Sequence, residues 1–239
     1  MSTFLISTIV RNREKFLYQW FNQIKDLVKD NTDHTFYLSV YENDSVDRSV
    51  ELLKQFDYSF FKDSKIEIGT LNIPYYGSIK NDQRVQYLAQ LRNRTFYNNN
   101  FLEKCNYVIS IEPDVKYNPK DLKFIIDDVY YDILSARSIE INPPPPTHLY
   151  DGWGTRNNEF IEDWNHKVIF GEEVVDVWTT YNCVCKYRAE PIKNKIAYDG
   201  LNKRLKKYDC DTAVICENFR ENGYTKIGLY PKALAFHSR

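Results

Sequence analysis

Two carboxylates separated by one proline follow the most strand-like run of this sequence. Asn106–Ile111 is rich in Tyr, Val and Ile, which predicts a buried central strand, and Glu112-Pro113-Asp114 comes directly after it. Proline lacks an N–H group and fixes φ, so the strand should end there. Acids at the carboxyl end of a central strand can hold a divalent cation whose shell a diphosphate completes. The alternative is that the two acids only flank a turn.

Polar residues also follow the second predicted strand, and arginines occupy the helix before the central one. Glu42 and Asn43, within Tyr41–Ser45, are placed to bond a base or a ribose at the same sheet edge, or they form an ordinary turn. Arg92 and Arg94 carry the planar fork that suits phosphate oxygens, although a lone helical arginine usually faces solvent. Because these groups share one sheet edge, the pattern favours a nucleotide site.

Three later positions offer sugar-binding, acid–base and metal chemistry. The loop Tyr150–Arg156 mixes aromatic faces with hydrogen-bonding groups, as sugar sites do, or it is a loop anchored by a buried Trp153. Asp211 starts a predicted helix, where it is a general base, a ligand of an acceptor hydroxyl or a helix cap. His237 follows the last predicted strand and either completes a metal shell or lies on the surface.

Alternating strands and helices must position these side chains. Strands are predicted at Phe4–Val10, Thr35–Val40 and Ile66–Ile73, and each precedes an apolar pattern of helical spacing. Ser45 is expected to cap the second helix, and the third helix covers about residues 81–104. This alternation predicts an α/β fold with helices flanking a mostly parallel central sheet.

The second half of the chain is less regular. It is predicted to contain a short helix near Asp121–Asp128, a strand at Ile133–Ile141, a stiff polyproline segment at Pro143–Pro146 that opens a loop running to Trp164, a strand-rich stretch at Val168–Tyr187, a helix at Asp211–Glu221 and a last strand at Lys226–Phe236. Because no repeat or long polar linker divides the chain, we expect one domain over residues 1–239.

Composition excludes several classes of protein. Thirty-two basic against 33 acidic residues give a net charge of -1, so no overall field indicates a nucleic-acid partner. No run approaches the roughly 20 apolar residues of a transmembrane helix, and five irregularly spaced cysteines imply no disulfide framework. We therefore expect a soluble, cytoplasmic protein without a transmembrane segment.

Seven motifs together make the chain similar to the fungal capsule-associated mannosyltransferases, the cryptococcal α-1,3-mannosyltransferase type, among the GT-A glycosyltransferases. In chain order the motifs are Tyr41–Asp47, Leu91–Arg94, Ile111–Val115, Leu149–Trp153, Val177–Asn182, Cys210–Cys216 and Phe236–Ser238. The resemblance implies a GT-A domain, a nucleotide-diphosphate sugar donor, a Mn²⁺ or Mg²⁺ ion and the hydroxyl of a glycan or glycoprotein as acceptor. It further implies a donor-binding half at residues 1–115 and an acceptor-binding half at residues 116–239.

The resemblance also implies roles for individual residues. The metal ligands are expected to be Asp114, Glu112 and His237, and the catalytic acids Asp211 and Asp151. Donor binding is expected from Thr8, Arg11, Glu42, Asn43, Arg92 and Glu112, and acceptor binding from Tyr150, Trp153, Arg156 and Trp178.

The chain departs from the family in two ways. Family members often carry an Asn-Asp pair where this chain has Glu112-Pro113-Asp114, which puts the mode of metal ligation in doubt. The membrane anchor of the fungal members has no counterpart here, so we expect a compact bacterial or large-virus enzyme acting in a host cytosol. Its donor is then GDP-mannose or a UDP-sugar.

Two alternatives belong to other functional classes. A non-catalytic module could keep the sheet and bind a nucleotide or a glycan, but the joint presence of Glu112, Asp114, Arg92 and Asp211 argues against a degenerate site. A nucleotidyltransferase would show a glycine-rich basic loop after the first strand, and Ile9–Glu14 contains no glycine.

Overall fold

Alternating strands and helices fill the first half of the chain, as their apolar spacing predicts. In a computed structural model, which describes residues 1–77, 79–140, 149–159 and 171–237, the helices are α1 (Glu14–Lys29), α2 (Ser49–Gln55), α3 (Asp82–Tyr97), α4 (Lys123–Asp127), α5 (Ala189–Lys193) and α6 (Asp211–Glu221). The strands are β1 (Thr3–Val10), β2 (Thr35–Asn43), β3 (Asp63–Gly69), β4 (Tyr107–Ile111), β5 (Val115–Tyr117), β6 (Ile133–Glu140), β7 (Val175–Asp176), β8 (Val184–Arg188), β9 (Leu201–Asn202), β10 (Lys207–Tyr208) and β11 (Ile227–His237). Short 3-10 turns cover Leu102–Lys104 and Pro119–Leu122.

One nine-stranded sheet organises these elements. Its order is β3-β2-β1-β4-β8-β6-β11-β5, with β7 paired to β11. The expected parallel arrangement holds for β3, β2, β1 and β4. The second half is mixed, because β8 runs antiparallel to both β4 and β6, and β5 and β7 run antiparallel to β11. The central strand β4 thus separates a parallel half from a mixed half.

Side chains alternate between two cores on opposite faces of the sheet. Phe4 and Ile6 of β1 pack into the core under α1 and α2, whereas Leu5 packs into the core under α3 and α6. Helix α1 turns its Leu17, Trp20, Ile24 and Leu27 inward, and all four are fully buried. Burial of each such side chain stabilises the fold by about 1.5–3 kcal/mol. The spacing of apolar residues therefore determines which side chains face each core.

The turn after β2 differs from the prediction in a way that matters for the site. Ser45 does not cap α2, which begins at Ser49, because Asp47 accepts the Ser49 N–H at 2.9 Å instead. Ser45 Oγ accepts the N–H of Asn12 at 2.8 Å, so it joins the turns after β1 and β2. The third strand ends at Gly69, which leaves the predicted Leu71 and Ile73 in the segment beyond it.

Several predicted features lie wholly or partly outside the described residues. These are the polyproline segment Pro143–Pro146, the end of the loop at Trp164, the start of the stretch at Val168, Ile141 and Ser238. Of the helices that the structure describes, none combines the length and the apolar character needed to cross a bilayer.

The pairing of β11 with β5 brings the two ends of the second half together. Directly after β4, the turn Glu112-Pro113-Asp114 leads into β5, and His237 at the end of β11 is in register with Val115. Sheet register therefore places the last described residue of the chain beside the predicted metal motif.

Candidate functional site: a charged cleft at the sheet edge

A cleft of about 420 Å³ lies where β1, β2 and β4 end. Its walls come from the turns after these strands, the segment beyond β3, one face of α3, the loop at Tyr150–Trp153 and the start of α6. Among the described residues, five basic and four acidic side chains line it: Arg11, Arg13, Lys80, Arg84 and Arg92, and Glu112, Asp114, Asp151 and Asp211. This is the edge at which open α/β sheets bind ligands.

Asp114 and His237 form the metal-like corner of the cleft. Oδ2 of Asp114 lies 3.4 Å from Nε2 of His237 and 3.0 Å from Nε of Arg13. Burial raises the pKa of Asp114, but the contact with His237 and the charge of Arg13 outweigh it, so the pKa lies below its ordinary value. An ionised carboxylate beside an imidazole nitrogen is a donor pair that divalent ions accept. The two residues fit a bound ion.

Tyr150 fixes the ring of His237. The two rings stack with centroids 3.6 Å apart and an angle of 11°. Nδ1 of His237 is buried, and no described residue forms a hydrogen bond with it. The ring orientation is therefore set by stacking on Tyr150 and by the contact of Nε2 with Asp114. Tyr150 thus lines the cleft and also holds the imidazole of His237 in place.

Arg92 forms a buried junction between the predicted metal motif and the predicted catalytic acid. It donates from Nε to Oδ2 of Asp211 at 2.9 Å and from Nη2 to Oε1 of Glu112 at 2.6 Å. The hydroxyl of Tyr181 donates to the same Glu112 oxygen at 2.7 Å, and its ring lies under the guanidinium. Glu112 is thus held by Arg92 and Tyr181, whereas Asp114 and His237 meet at the corner without it.

The two remaining acids of the cleft are both anchored. Burial raises the pKa of Asp211, against the charges of Arg92 and Arg84. Burial also raises the pKa of Asp151, whose two oxygens accept the N–H groups of Gly154 and Asn182 at 3.1 and 3.0 Å. Asp151 therefore stabilises the backbone of the loop at Tyr150–Arg156 and joins it to Asn182.

Gly154 is required beside Asp151. A Cβ atom added at Gly154 would lie 2.5 and 2.7 Å from the Asp151 carboxylate oxygens and 2.7 Å from Oγ1 of Thr212. The loop that carries Trp153 can therefore approach the start of α6 closely only with glycine at this position.

The residues predicted to bind the donor fall into two groups. Arg11 and Asn43 line the cleft, and Arg11 donates to the carbonyls of Ile73 and Pro74 at 2.7 and 3.3 Å. Thr8 and Glu42 are buried and lie outside the cleft lining: Thr8 donates to the Ile111 carbonyl, and Glu42 accepts the Ser45 N–H. A donor role for Thr8 and Glu42 is not supported by these positions, because each stabilises a strand end or turn.

The residues predicted to bind the acceptor also fall into two groups, those that line the cleft and those that lie outside it. Tyr150 and Trp153 line the cleft. Arg156 is 1% exposed and forms a two-bond ion pair with Asp209 at 2.7 and 2.9 Å, away from the cleft lining. Trp178 lies in a separate groove and donates to Glu217 at 3.0 Å. An acceptor role for Arg156 and Trp178 therefore finds no support in their positions.

Sequence reasoning missed several residues of the cleft. Arg13 and Tyr181 contact the two acids of the metal motif, and Arg84 and Lys80 line the same cleft. Asp44 lies outside the cleft lining and was seen only as part of a turn, yet its carboxylate accepts three N–H groups from Leu71, Asn72 and Ile73. Arg13 carried a signal, since it follows β1 within a basic run, and so did Tyr181, which lies within the motif Val177–Asn182.

A second grouping of possible metal ligands lies away from this cleft. Asp33, His34 and Asp127 bring their ligand atoms within 4.8 Å of one another. Nδ1 of His34 accepts the N–H of Ser2 at 3.1 Å, so in the neutral ring Nε2 carries the proton and faces Asp127. Lys123 already pairs with Asp127 at 2.9 Å. These contacts describe an ion-pair cluster.

Residues 3–217 match the family described as Cryptococcal mannosyltransferase 1. The match covers most of the chain, includes six of the seven motifs and confirms the resemblance. No curated protein matches the sequence.

Solved structures of low sequence identity share the fold. S. aureus TarS 1-349 in complex with UDP-GlcNAc is 15% identical with a TM-score of 0.57, and the match covers 100% of this chain and 59% of that one. The Pyrobaculum calidifontis mannosyltransferase PcManGT with GDP-Man and Mn²⁺ is 9% identical (TM-score 0.59; 99% of this chain, 56% of that one). GalNAc-T7 with UDP, GalNAc and Mn²⁺ is 12% identical (TM-score 0.60; 100% and 44%). This chain thus has the GT-A fold and spans less than two thirds of these proteins.

Proposed function

The chain belongs to the cryptococcal mannosyltransferase 1 family, and from this premise we propose that it is a metal-dependent glycosyltransferase. It moves a hexose from a nucleoside-diphosphate sugar, GDP-mannose or a UDP-sugar, to a hydroxyl group of a glycan. The observation that carries the proposal is the meeting of Asp114 and His237 at the corner of a basic cleft on a GT-A sheet. Two relatives of the same fold were solved with Mn²⁺ and a nucleotide or nucleotide sugar.

Asp114 and His237 would hold the ion in this site. A divalent ion neutralises the charge that develops on a diphosphate leaving group. Arg13 adds positive charge beside the same carboxylate, and Tyr150 keeps the imidazole in place. Asp114 and His237 are buried, which strengthens their action on a developing charge, because water screens them less.

Arg92 orients the two acids Glu112 and Asp211. Within the described residues it is the only donor to Asp211, and it binds through Oδ2. A carboxylate held by a buried guanidinium keeps one geometry, so Asp211 is suited to orient a sugar hydroxyl. Inverting transfer would also require it to accept the acceptor proton, and its pKa is raised by burial, in the direction that a base requires.

The test is release of a nucleoside diphosphate. We would incubate the protein with GDP-mannose, UDP-glucose and UDP-GlcNAc, each with methyl α-mannoside, methyl glucuronide or mannose 6-phosphate as the acceptor and with Mn²⁺ or a chelator, and compare wild type with Asp114→Asn. Asp127→Asn is the matched control, because it removes a carboxylate from the second cluster of possible ligands and leaves the cleft intact.

We expect turnover of one of the donors. This turnover should require Mn²⁺, be lost in Asp114→Asn and be retained in Asp127→Asn. Metal-dependent nucleotide binding without turnover of any donor would contradict the proposal and indicate a binding module on the same fold.

A further inference from the structure

Two basic residues of the cleft, Lys80 and Arg84, form no ion pair with any residue that the structure describes, although the charge of Arg84 acts on Asp211. Arg84 donates from Nε to the Gly77 carbonyl at 2.8 Å, and Lys80 lies over the Trp153 ring at 5.4 Å. Arg84 is only partly exposed, whereas Lys80 is exposed. A charge partly removed from water without a paired counter-ion is costly, so the position of Arg84 favours an anionic ligand, and Lys80 adds a positive charge to the same cleft.

The other basic residues of the cleft are already engaged. Arg13 pairs with Asp114, and Arg92 pairs with Glu112 and Asp211. Arg11 binds two carbonyl groups of the segment beyond β3. The unmatched positive charge is therefore concentrated at Lys80 and Arg84.

This charge lies near Asp211 and Trp153. Arg84 is close enough to act on the pKa of Asp211, which burial raises and Arg92 and Arg84 lower. Lys80 reaches across to Trp153, whose ring can cover the C–H face of a sugar. This part of the cleft suits a sugar that carries a negative group. The guanidinium of Arg84 and the ammonium of Lys80 would bind the negative group, and the indole of Trp153 would cover the sugar ring.

We propose that the acceptor is an anionic glycan whose carboxylate or phosphate group binds to Arg84 and Lys80. The inference rests on the proposed transferase function and names the chemical class of its acceptor. A neutral hydroxyl would leave both charges unmatched when the donor and its ion are bound, because the ion already offsets the diphosphate.

The experiment measures sugar binding to protein saturated with Mn²⁺ and the nucleoside diphosphate that stabilises it. Methyl α-mannoside, methyl glucuronide and mannose 6-phosphate serve as neutral, carboxylate and phosphate probes, titrated by saturation-transfer NMR. The variants are Arg84→Gln and Lys80→Gln. Arg48→Gln is the control, because Arg48 is exposed and, among the residues that the structure describes, forms an ion pair only with Glu51 of α2. Nucleotide affinity is measured in parallel for every variant.

At least one anionic probe should bind about tenfold more tightly than the neutral one, and the two anionic arms identify carboxylate or phosphate as the group. The preference should disappear in Arg84→Gln, fall in Lys80→Gln and persist in Arg48→Gln, with nucleotide affinity unchanged. Equal binding of neutral and anionic probes to wild type would overturn the proposal. The proposal would also be overturned if Arg84→Gln lost as much affinity for the nucleotide as for the anionic probe, because Arg84 would then bind the donor. Absence of metal-dependent nucleotide binding in wild type would instead refute the transferase function itself.

Discussion

His237 brings its Nε2 atom to 3.4 Å from Oδ2 of Asp114, although Asp114 lies in the turn before β5 and His237 ends β11, far apart in sequence. The antiparallel pairing of β11 with β5 accounts for this, since His237 is in register with Val115, the residue after Asp114. A shift of one residue would turn His237 to the other face of the sheet. The metal corner therefore depends on the register of a three-residue strand.

Arg92 should be the most sensitive structural residue of the cleft. Arg92→Ala leaves the buried carboxylate of Asp211 and that of Glu112 without a counter-ion, and we expect a loss of about 3–5 kcal/mol in the free energy of unfolding. Arg48→Ala removes an exposed ion pair and should cost at most about 1 kcal/mol. Urea denaturation of both variants checks this. Similar small losses in the two variants would show that Arg92 does not hold the acids together.

Arg156 should act on stability and not on acceptor binding. Arg156→Lys keeps the charge but not the two-bond fork to Asp209, so we expect a loss of about 1–3 kcal/mol in the free energy of unfolding. The KM for the acceptor should stay unchanged, because Arg156 lies outside the cleft lining. Denaturation and transfer kinetics on the same preparation test both halves. A raised KM at unchanged stability would restore the acceptor role that the resemblance implies.

Lys186 gives a prediction for pH dependence. Burial lowers its pKa from 10.5 to about 8, against the raising effect of Asp128. Between these two values the unfolded chain binds more protons than the folded one, so the contribution of Lys186 to the free energy of unfolding rises with pH. The difference between wild type and Lys186→Met should therefore increase by about 1–2 kcal/mol from pH 7.5 to 9.5. The exposed Lys29→Met serves as control, and a difference independent of pH would refute the buried-lysine assignment.

The sequence predicts those parts of the fold that depend on local pattern. Helix α6 begins and ends at the predicted residues, and β4 stops before the predicted Glu-Pro-Asp turn. Apolar spacing and proline act within a few residues, so the chain alone carries this information. His237 was predicted to follow the last strand, and it is instead the last residue of β11.

Long-range contacts explain what could not be predicted. Arg156 stands in a loop with polar and aromatic neighbours, as a sugar-binding residue would, and only the fold reveals that Asp209 encloses it. Tyr181 contacts Glu112 because β8 pairs with β4. Asp44 resembles any turn residue until the segment beyond β3 closes over it. In each case the partner is distant in sequence, so no local spacing identifies it.

The most direct test of the central claim is thermal unfolding with GDP and UDP, each with and without Mn²⁺. Wild type, Asp114→Ala, His237→Gln and the control Asp127→Asn are compared. A nucleotide at about 100 times its dissociation constant adds roughly 2.7 kcal/mol of stability, which gives a clear shift in Tm. The account predicts a shift with one nucleotide that requires Mn²⁺, is lost in Asp114→Ala, is reduced in His237→Gln and is retained in Asp127→Asn. A shift that persists in Asp114→Ala, or that no nucleotide with Mn²⁺ produces in wild type, would contradict it.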